Sequence, residues 1–171
     1  MDGKKRYVLL IAIAGLVLLL DQLTKIYIVS RFSLYESLTI IEDFFHITYI
    51  RNPGAAFGIF AGSAASFRIP FFLTLSFVAI IGMLFFYKTV AEELLRIALS
   101  LILGGALGNM IDRARFGEVI DFIDVHWYSN HWPAFNVADS AITIGVGLMI
   151  LDMLIKENGS HRKGAKDAEK D

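Results

Sequence analysis

Four apolar runs, at roughly 7–29, 68–87, 94–112 and 137–155, constrain this chain more than any other feature. A helix needs about 20 residues to cross the hydrocarbon core. Inside that core every backbone N–H and C=O must be paired within the spanning structure itself. Four such runs in 171 residues leave room for a single membrane domain of four transmembrane helices, expected over residues 1–156. Hydrophobic residues make up 56% of the chain, above the roughly 45–50% of soluble domains. The run 68–87 carries no charge between Arg68 and Lys88, whereas the other three each hold an acid near one end.

Lys4-Lys5-Arg6 followed by apolar residues has the form of a secretory signal, but no small-residue cleavage pattern follows. Asp21-Gln22-Leu23-Thr24-Lys25 comes instead and the helical pattern continues to Val29, so the run is expected to be an uncleaved first span. The positive-inside rule sets the orientation. Lys4, Lys5, Arg6, Lys88, Arg96 and Lys156 fall on one side; Lys25, Arg31, Arg51, Arg68, Arg113 and Arg115 fall on the other. Both termini are thus expected in the cytoplasm, with 30–67 and 113–136 outside. In the first outside stretch, Phe45–Ile50 is β-branched and aromatic and reads as a strand. Gly54, Gly58 and Gly62 mark turns or close approaches, giving a small sheet over about 35–62. The second stretch holds Trp127, Tyr128 and Trp132, residue types that favour the headgroup layer, and is expected to contain a short interfacial helix. Residues 157–171 are charged and polar, with no core-forming residues, and are expected to be a disordered cytoplasmic tail.

The net charge of −1 gives no reason to expect nucleic-acid binding. The absence of cysteine excludes disulfides, thiolate metal sites and cysteine nucleophiles. The spacing of the four histidines, 46, 126, 131 and 161, matches no metal motif. No metal and no cofactor is expected.

Helical rise places the acids. Arg6 to Asp21 spans 15 residues, Arg96 to Asp112 spans 16, and Lys156 back to Asp139 spans 17. At about 1.5 Å per residue these are roughly 22, 24 and 26 Å, against a core about 30 Å thick. Asp21, Asp112 and Asp139 therefore share one layer just inside the outer surface, with Asn109 and Asn136 one turn from two of them. Asp121 follows Asp112 by nine residues and must lie outside or fold back. Two carboxylates in contact share a proton. One can then take a proton from water while the other polarises a carbonyl. The residues alone leave the partner of Asp139 open among Asp112, Asp121 and Asp124. Blander roles compete: an ion pair with Lys25 or a helix-packing hydrogen bond for Asp21, an arginine pair for Asp112, a solvated loop position for Asp124, and a helix N-cap for Asp139. At the level of function, a proton-coupled transporter competes because intramembrane acids also mark relays. An assembly factor whose polar residues serve helix association is the third reading.

Five blocks in order closely resemble the bacterial lipoprotein signal peptidase (signal peptidase II) family of membrane aspartic endopeptidases. They are Asp21-Gln22-Leu23-Thr24-Lys25, Arg51-Asn52-Pro53-Gly54-Ala55-Ala56-Phe57, Gly104 through Arg113, Val119-Ile120-Asp121-Phe122 and Phe135-Asn136-Val137-Ala138-Asp139. The resemblance implies four transmembrane helices, an extracytoplasmic β-cradle and a short interfacial helix. It implies Asp121 and Asp139 as the catalytic pair, with Asn52, Gly54, Asn109, Arg113 and Asn136 lining the site and Asp21 and Asp112 supporting it. The implied substrate is a prolipoprotein whose cysteine carries diacylglycerol, cut just before that cysteine to release the signal peptide. The implied setting is the bacterial inner membrane, with the active site near the outer face, no metal, and inhibition by globomycin. A monomer in contact with membrane lipids is expected.

Overall fold

A computed structural model of the chain describes residues 3–54, 60 and 62–168. Residues 55–59 and 61 of the expected cradle and 169–171 of the expected tail lie outside them. Four long helices, α1 (Gly3–Arg31), α2 (Ala65–Thr89), α3 (Glu93–Phe116) and α4 (Val137–Ala168), each contain a segment long and apolar enough to cross a membrane. The chain is thus a four-span membrane protein with a small antiparallel sheet at one end.

Helix α3 is central and packs on α1, α4 and α2. The buried stripe of α1, Leu10, Ala14, Val17, Asp21, Lys25 and Ile28, recurs every three or four residues, the period of one helix face. It is apolar from Leu10 to Val17, ionic at Asp21 and Lys25, and apolar again at Ile28. The opposite face, including Ile11, Leu19, Leu23 and Ile26, is exposed, as befits a surface that meets lipid. Close packing of α3 depends on glycine. A Cβ on Gly104 would come within 2.8 Å of the Ala14 carbonyl on α1. One on Gly105 would run into the Ala138 carbonyl on α4, and one on Gly108 into the Asp21 carboxylate. Helix α3 ends where Gly117 takes a left-handed φ of 74° and its N–H closes on the Arg113 carbonyl at 2.9 Å, which reverses the chain into the sheet.

The sheet has the order β1-β2-β3-β4, with β1 at Ser37–Ile41, β2 at Phe45–Asn52, β3 at Val119–Trp127 and β4 at Asn130–His131. The expected strand over Phe45–Ile50 is β2. Its partner β3 lies in the stretch expected to hold an interfacial helix; that stretch folds as β3, a turn and β4, and no helix forms there. Val119-Ile120-Asp121-Phe122 pairs with β2 and buries Ile120 and Phe122 against Ile28 and Tyr49, which satisfies both backbone and side chains. Trp127, Tyr128 and Trp132 remain exposed at the sheet end. Asp124, expected to be a solvated loop acid, sits on β3. It bonds His131 Nδ1 at 2.9 Å and lies 3.6 Å from His46 Nδ1, so the sheet gives it histidine partners.

The apolar span of α4 closes at Lys156, but the backbone remains helical to Ala168 where a disordered tail was expected. Once nucleated, a helix propagates at little cost per residue.

Candidate active site

Helix α4 begins at Val137, and Asn136 caps it: its Oδ1 accepts the Asp139 backbone N–H at 2.9 Å. The cap is therefore Asn136 and not Asp139, whose carboxylate is left free for other contacts. The amide of the same Asn136 donates to Asp121 Oδ1 at 2.7 Å and to the Ile120 carbonyl at 3.1 Å. One side chain thus ties the first turn of α4 to the carboxylate of β3.

Asp121 reaches this point through the register of the sheet. It pairs with Ile50, and Val119 pairs with Asn52, which sets Asn52 beside it. Asn52 Nδ2 donates to Asp121 Oδ2 at 3.0 Å, while Asn52 Oδ1 accepts the Gly54 N–H at 3.0 Å. Across the site, Asn109 Nδ2 on α3 donates to Asp139 Oδ1 at 2.8 Å. Arg113, one turn further on, stacks on the Phe72 ring and donates to the Gly54 carbonyl at 3.0 Å. Asp121 and Asp139 both line a cavity of about 820 Å³, together with Asn52, Asn109 and Arg113. Its remaining wall includes Ile50, Trp132, Phe135, Ile142 and Ile144, an apolar surface around a few convergent polar groups. Asp121 is 1% exposed. Burial, and after it the charge of Asp139, push it up to about 7 from the ordinary 3.8, against the pull of the Asn52 and Asn136 amides and the Lys25 charge.

Behind the cavity lies a second, fully buried cluster. Lys25 Nζ is 2.9 Å from Asp21 Oδ2 and 2.8 Å from Asp112 Oδ2. Asp21 Oδ1 also accepts the Ala138 N–H at 3.0 Å, and Asp112 Oδ2 accepts the Ile120 N–H at 3.2 Å. Gln22 Nε2 adds a bond to Asp112 Oδ1 at 3.1 Å. The expected common layer of Asp21, Asp112 and Asp139 is present, but the cation paired with Asp112 is Lys25 and not an arginine. The sequence offers Lys25 as an ion-pair partner of Asp21, which the structure shows, but it does not reveal the reach of Lys25 to Asp112 or any role for Gln22. The signal was a lysine one turn from an aspartate inside an apolar helix, which is costly to bury unless both are used. Among the described residues no group of three or more metal-ligating side chains is arranged to hold a metal ion.

This geometry places two carboxylates in a cavity whose amides fix their orientation, and burial raises the pKa of Asp121. Such a pair can carry one proton between water and a carbonyl. The sequence matches the model of a family described as signal peptidase (SPase) II over residues 13–155. It is 53% identical to a lipoprotein signal peptidase of Syntrophus aciditrophicus, covering 90% of this chain and 97% of that one. A lipoprotein signal peptidase of Geobacter metallireducens is 43% identical, covering 96% and 99%. A bacterial membrane enzyme solved by the in meso method at 2.3 Å shares the fold with a TM-score of 0.79 and 38% identity, covering 88% of this chain and 90% of that one.

Proposed function

Because the chain belongs to the signal peptidase II family of aspartic peptidases, we propose that Asp121 and Asp139 jointly hydrolyse the scissile peptide bond of a prolipoprotein. The observation that carries this reading is the Asn136 side chain, which orients the Asp121 carboxylate and the Asp139 backbone at once beside a single cavity.

In the proposed reaction Asp121 carries the proton and polarises the scissile carbonyl, while ionised Asp139 takes a proton from the attacking water. The tetrahedral intermediate then collapses: the C–N bond breaks, the leaving amine takes the proton that Asp139 received from water, and Asp121 ends with the proton it began with, so both groups return to their starting states. Asn52, Asn109 and Arg113 line the cavity and align the extended peptide; Gly54 holds Asn52 and Arg113 in place, the buried Asn136 orients Asp121 and the start of α4, and Asp21 and Asp112 support the site from behind. The substrate is a prolipoprotein bearing diacylglycerol on the cysteine just after the cut. Its acyl chains hold the scissile bond at the membrane surface, which supplies proximity and orientation. Globomycin would compete for the same cavity.

The end carrying the sheet is proposed to face the outside of the bacterial inner membrane, with both termini cytoplasmic. Arg6, Lys88 and Lys156 gather at the opposite end, where Arg6 bonds the Lys88 carbonyl and Lys156 pairs with Glu92. The exposed Trp127, Tyr128 and Trp132 then lie at headgroup depth. The buried face of α1 between Leu10 and Val17 is apolar, which favours a hydrolytic site at one face over a proton relay across the membrane.

Two outcomes test this chemistry in purified protein given a diacylglyceryl prolipoprotein peptide. First, kcat/KM is expected to fall on the alkaline side as Asp121 loses its proton near pH 7. The same proton has a sign for stability. The folded protein keeps it up to about 7 whereas the unfolded chain releases it near 3.8, so its stabilising contribution is full below the lower value and lost as pH rises to the higher. A rate that stays flat through about pH 8, a unit above that titration, would exclude Asp121 as the proton carrier. Second, Asn52→Ala removes one of the two amide hydrogen bonds that orient Asp121, so turnover is expected to fall roughly ten-fold. Unchanged turnover would remove Asn52 from the machinery.

A further inference from the structure

Lys25 is a buried ammonium bonded to two carboxylates and an amide. It lies on α1, which contributes no residue to the cavity wall, is 1% exposed, and touches neither aspartate of the proposed pair. An ammonium has three N–H donors. Here two go to the carboxylates of Asp21 and Asp112, which already exceed its charge. The third goes to a neutral atom, Asn109 Oδ1, at 3.1 Å. We propose that Lys25 is a positioning residue of the hydrolytic reaction: it fixes the Asn109 amide that holds Asp139 and sets a positive charge behind the acid pair. This rests on the reading that Asp121 and Asp139 perform the cleavage.

The amide of Asn109 can sit either way round, and only its neighbours decide. With Lys25 donating to one end, that end must be oxygen, and the nitrogen must face Asp139 Oδ1 at 2.8 Å. The other donor near Asn109 Oδ1 is Asn136 Nδ2 at 3.3 Å. That nitrogen has two hydrogens and three acceptors in reach, of which Asn109 is the most distant. Lys25 is therefore the firm anchor of the amide. Its carboxylate partners are fixed in turn from other elements: Asp21 by the Ala138 N–H of α4 and Asp112 by the Ile120 N–H of β3. The ammonium is held at a junction of α1, α3, β3 and α4.

The charge acts as well as the hydrogen bond. The charged groups around the pair are Asp21 and Lys25 on α1, Asp112 and Arg113 on α3, Asp121 on β3 and Asp139 on α4; the amides of Asn52, Asn109 and Asn136 complete the shell. Lys25 pulls the titration of Asp121 downward without touching it, against burial and Asp139, which push it up. Its removal shifts that titration to higher pH.

The test is Lys25→Met and Lys25→Arg in full-length protein in lipid, with cleavage of a diacylglyceryl prolipoprotein peptide followed across the neutral pH range. Lys25→Met is expected to lower kcat roughly ten-fold or more with KM little changed, and to move the alkaline limb upward in pH. Lys25→Arg keeps the charge and is expected to hold the limb near its original position. Removing the ammonium leaves two buried carboxylates facing each other, so Lys25→Met alone can fail to fold. The pair Asp112→Asn and Lys25→Met/Asp112→Asn then decides: the double variant keeps the cluster at the parent net charge, and its kcat is expected to lie about ten-fold below that of Asp112→Asn. A folded Lys25→Met, or a folded double variant, whose pH profile and kcat superimpose on those of its Lys25-containing counterpart overturns the proposal. Asp139→Asn run alongside separates the failures. If it still cleaves, the acid-pair reading falls; if it is inactive while the Lys25 variants match their counterparts, only the role of Lys25 falls.

Discussion

Asp139→Asn is expected to cleave a diacylglyceryl prolipoprotein peptide at least about a thousand-fold more slowly than the parent, because it removes the base of a general acid–base pair. The substitution is close to isosteric. The oxygen of the introduced amide can still accept the Asn109 N–H at the 2.8 Å contact now made by Asp139, so the thermal midpoint should hardly move. Asp121→Asn should lose as much activity, but with a structural cost. Both Asp121 oxygens accept amide N–H groups, from Asn136 at 2.7 Å and Asn52 at 3.0 Å. An amide there would set NH₂ against NH₂. Groups that act as a unit do not add, so the double variant should be no slower than either single one. Retained cleavage by folded Asp139→Asn would end the assignment.

The largest loss of stability is expected from Asp21→Ala. Its carboxylate is fully buried, holds Lys25, accepts the Ala138 N–H at 3.0 Å and receives Gln22 Nε2 at 3.2 Å. Truncation leaves that N–H without its partner at the start of α4 and Lys25 with a single carboxylate. Breaking a buried pair from one side costs about 3–5 kcal/mol, which for a chain of this size lowers the melting midpoint by roughly 10 °C. Asp21→Asn keeps an acceptor for Ala138 and should lose less. A thermal scan of both variants in detergent checks the order, and an Asp21→Ala midpoint equal to the parent would show that the cluster carries no net stability.

What the sequence revealed follows from how local each feature is. The spans depend on runs of apolar residues, so α2, expected over 68–87, is found at Ala65–Thr89. The depth of Asp21, Asp112 and Asp139 follows from helical rise alone, and their common layer is present. Strand β3 was missed because a strand is stabilised across the sheet: Asp121 opposes Ile50, far away in sequence, and the aromatic residues nearby gave a stronger signal for the interface. For the same reason the residues alone left the partner of Asp139 open, and only the resemblance to a family pointed to Asp121. The reach of Lys25 from α1 to Asn109 on α3 depends on the helices lying as close as Gly104 and Gly108 permit, which no single helix pattern contains.

The double duty of Asn136 joins folding to reactivity. The oxygen that starts α4 and the nitrogen that holds Asp121 belong to one amide, so the helix start cannot fray while the acid pair stays aligned. On the proposed chemistry, a copy inserted in the bilayer with α4 unseated loses the bond that orients Asp121 and does not cleave. On that chemistry, peptide bonds within the membrane meet an aligned acid pair only once α4 is seated against β3.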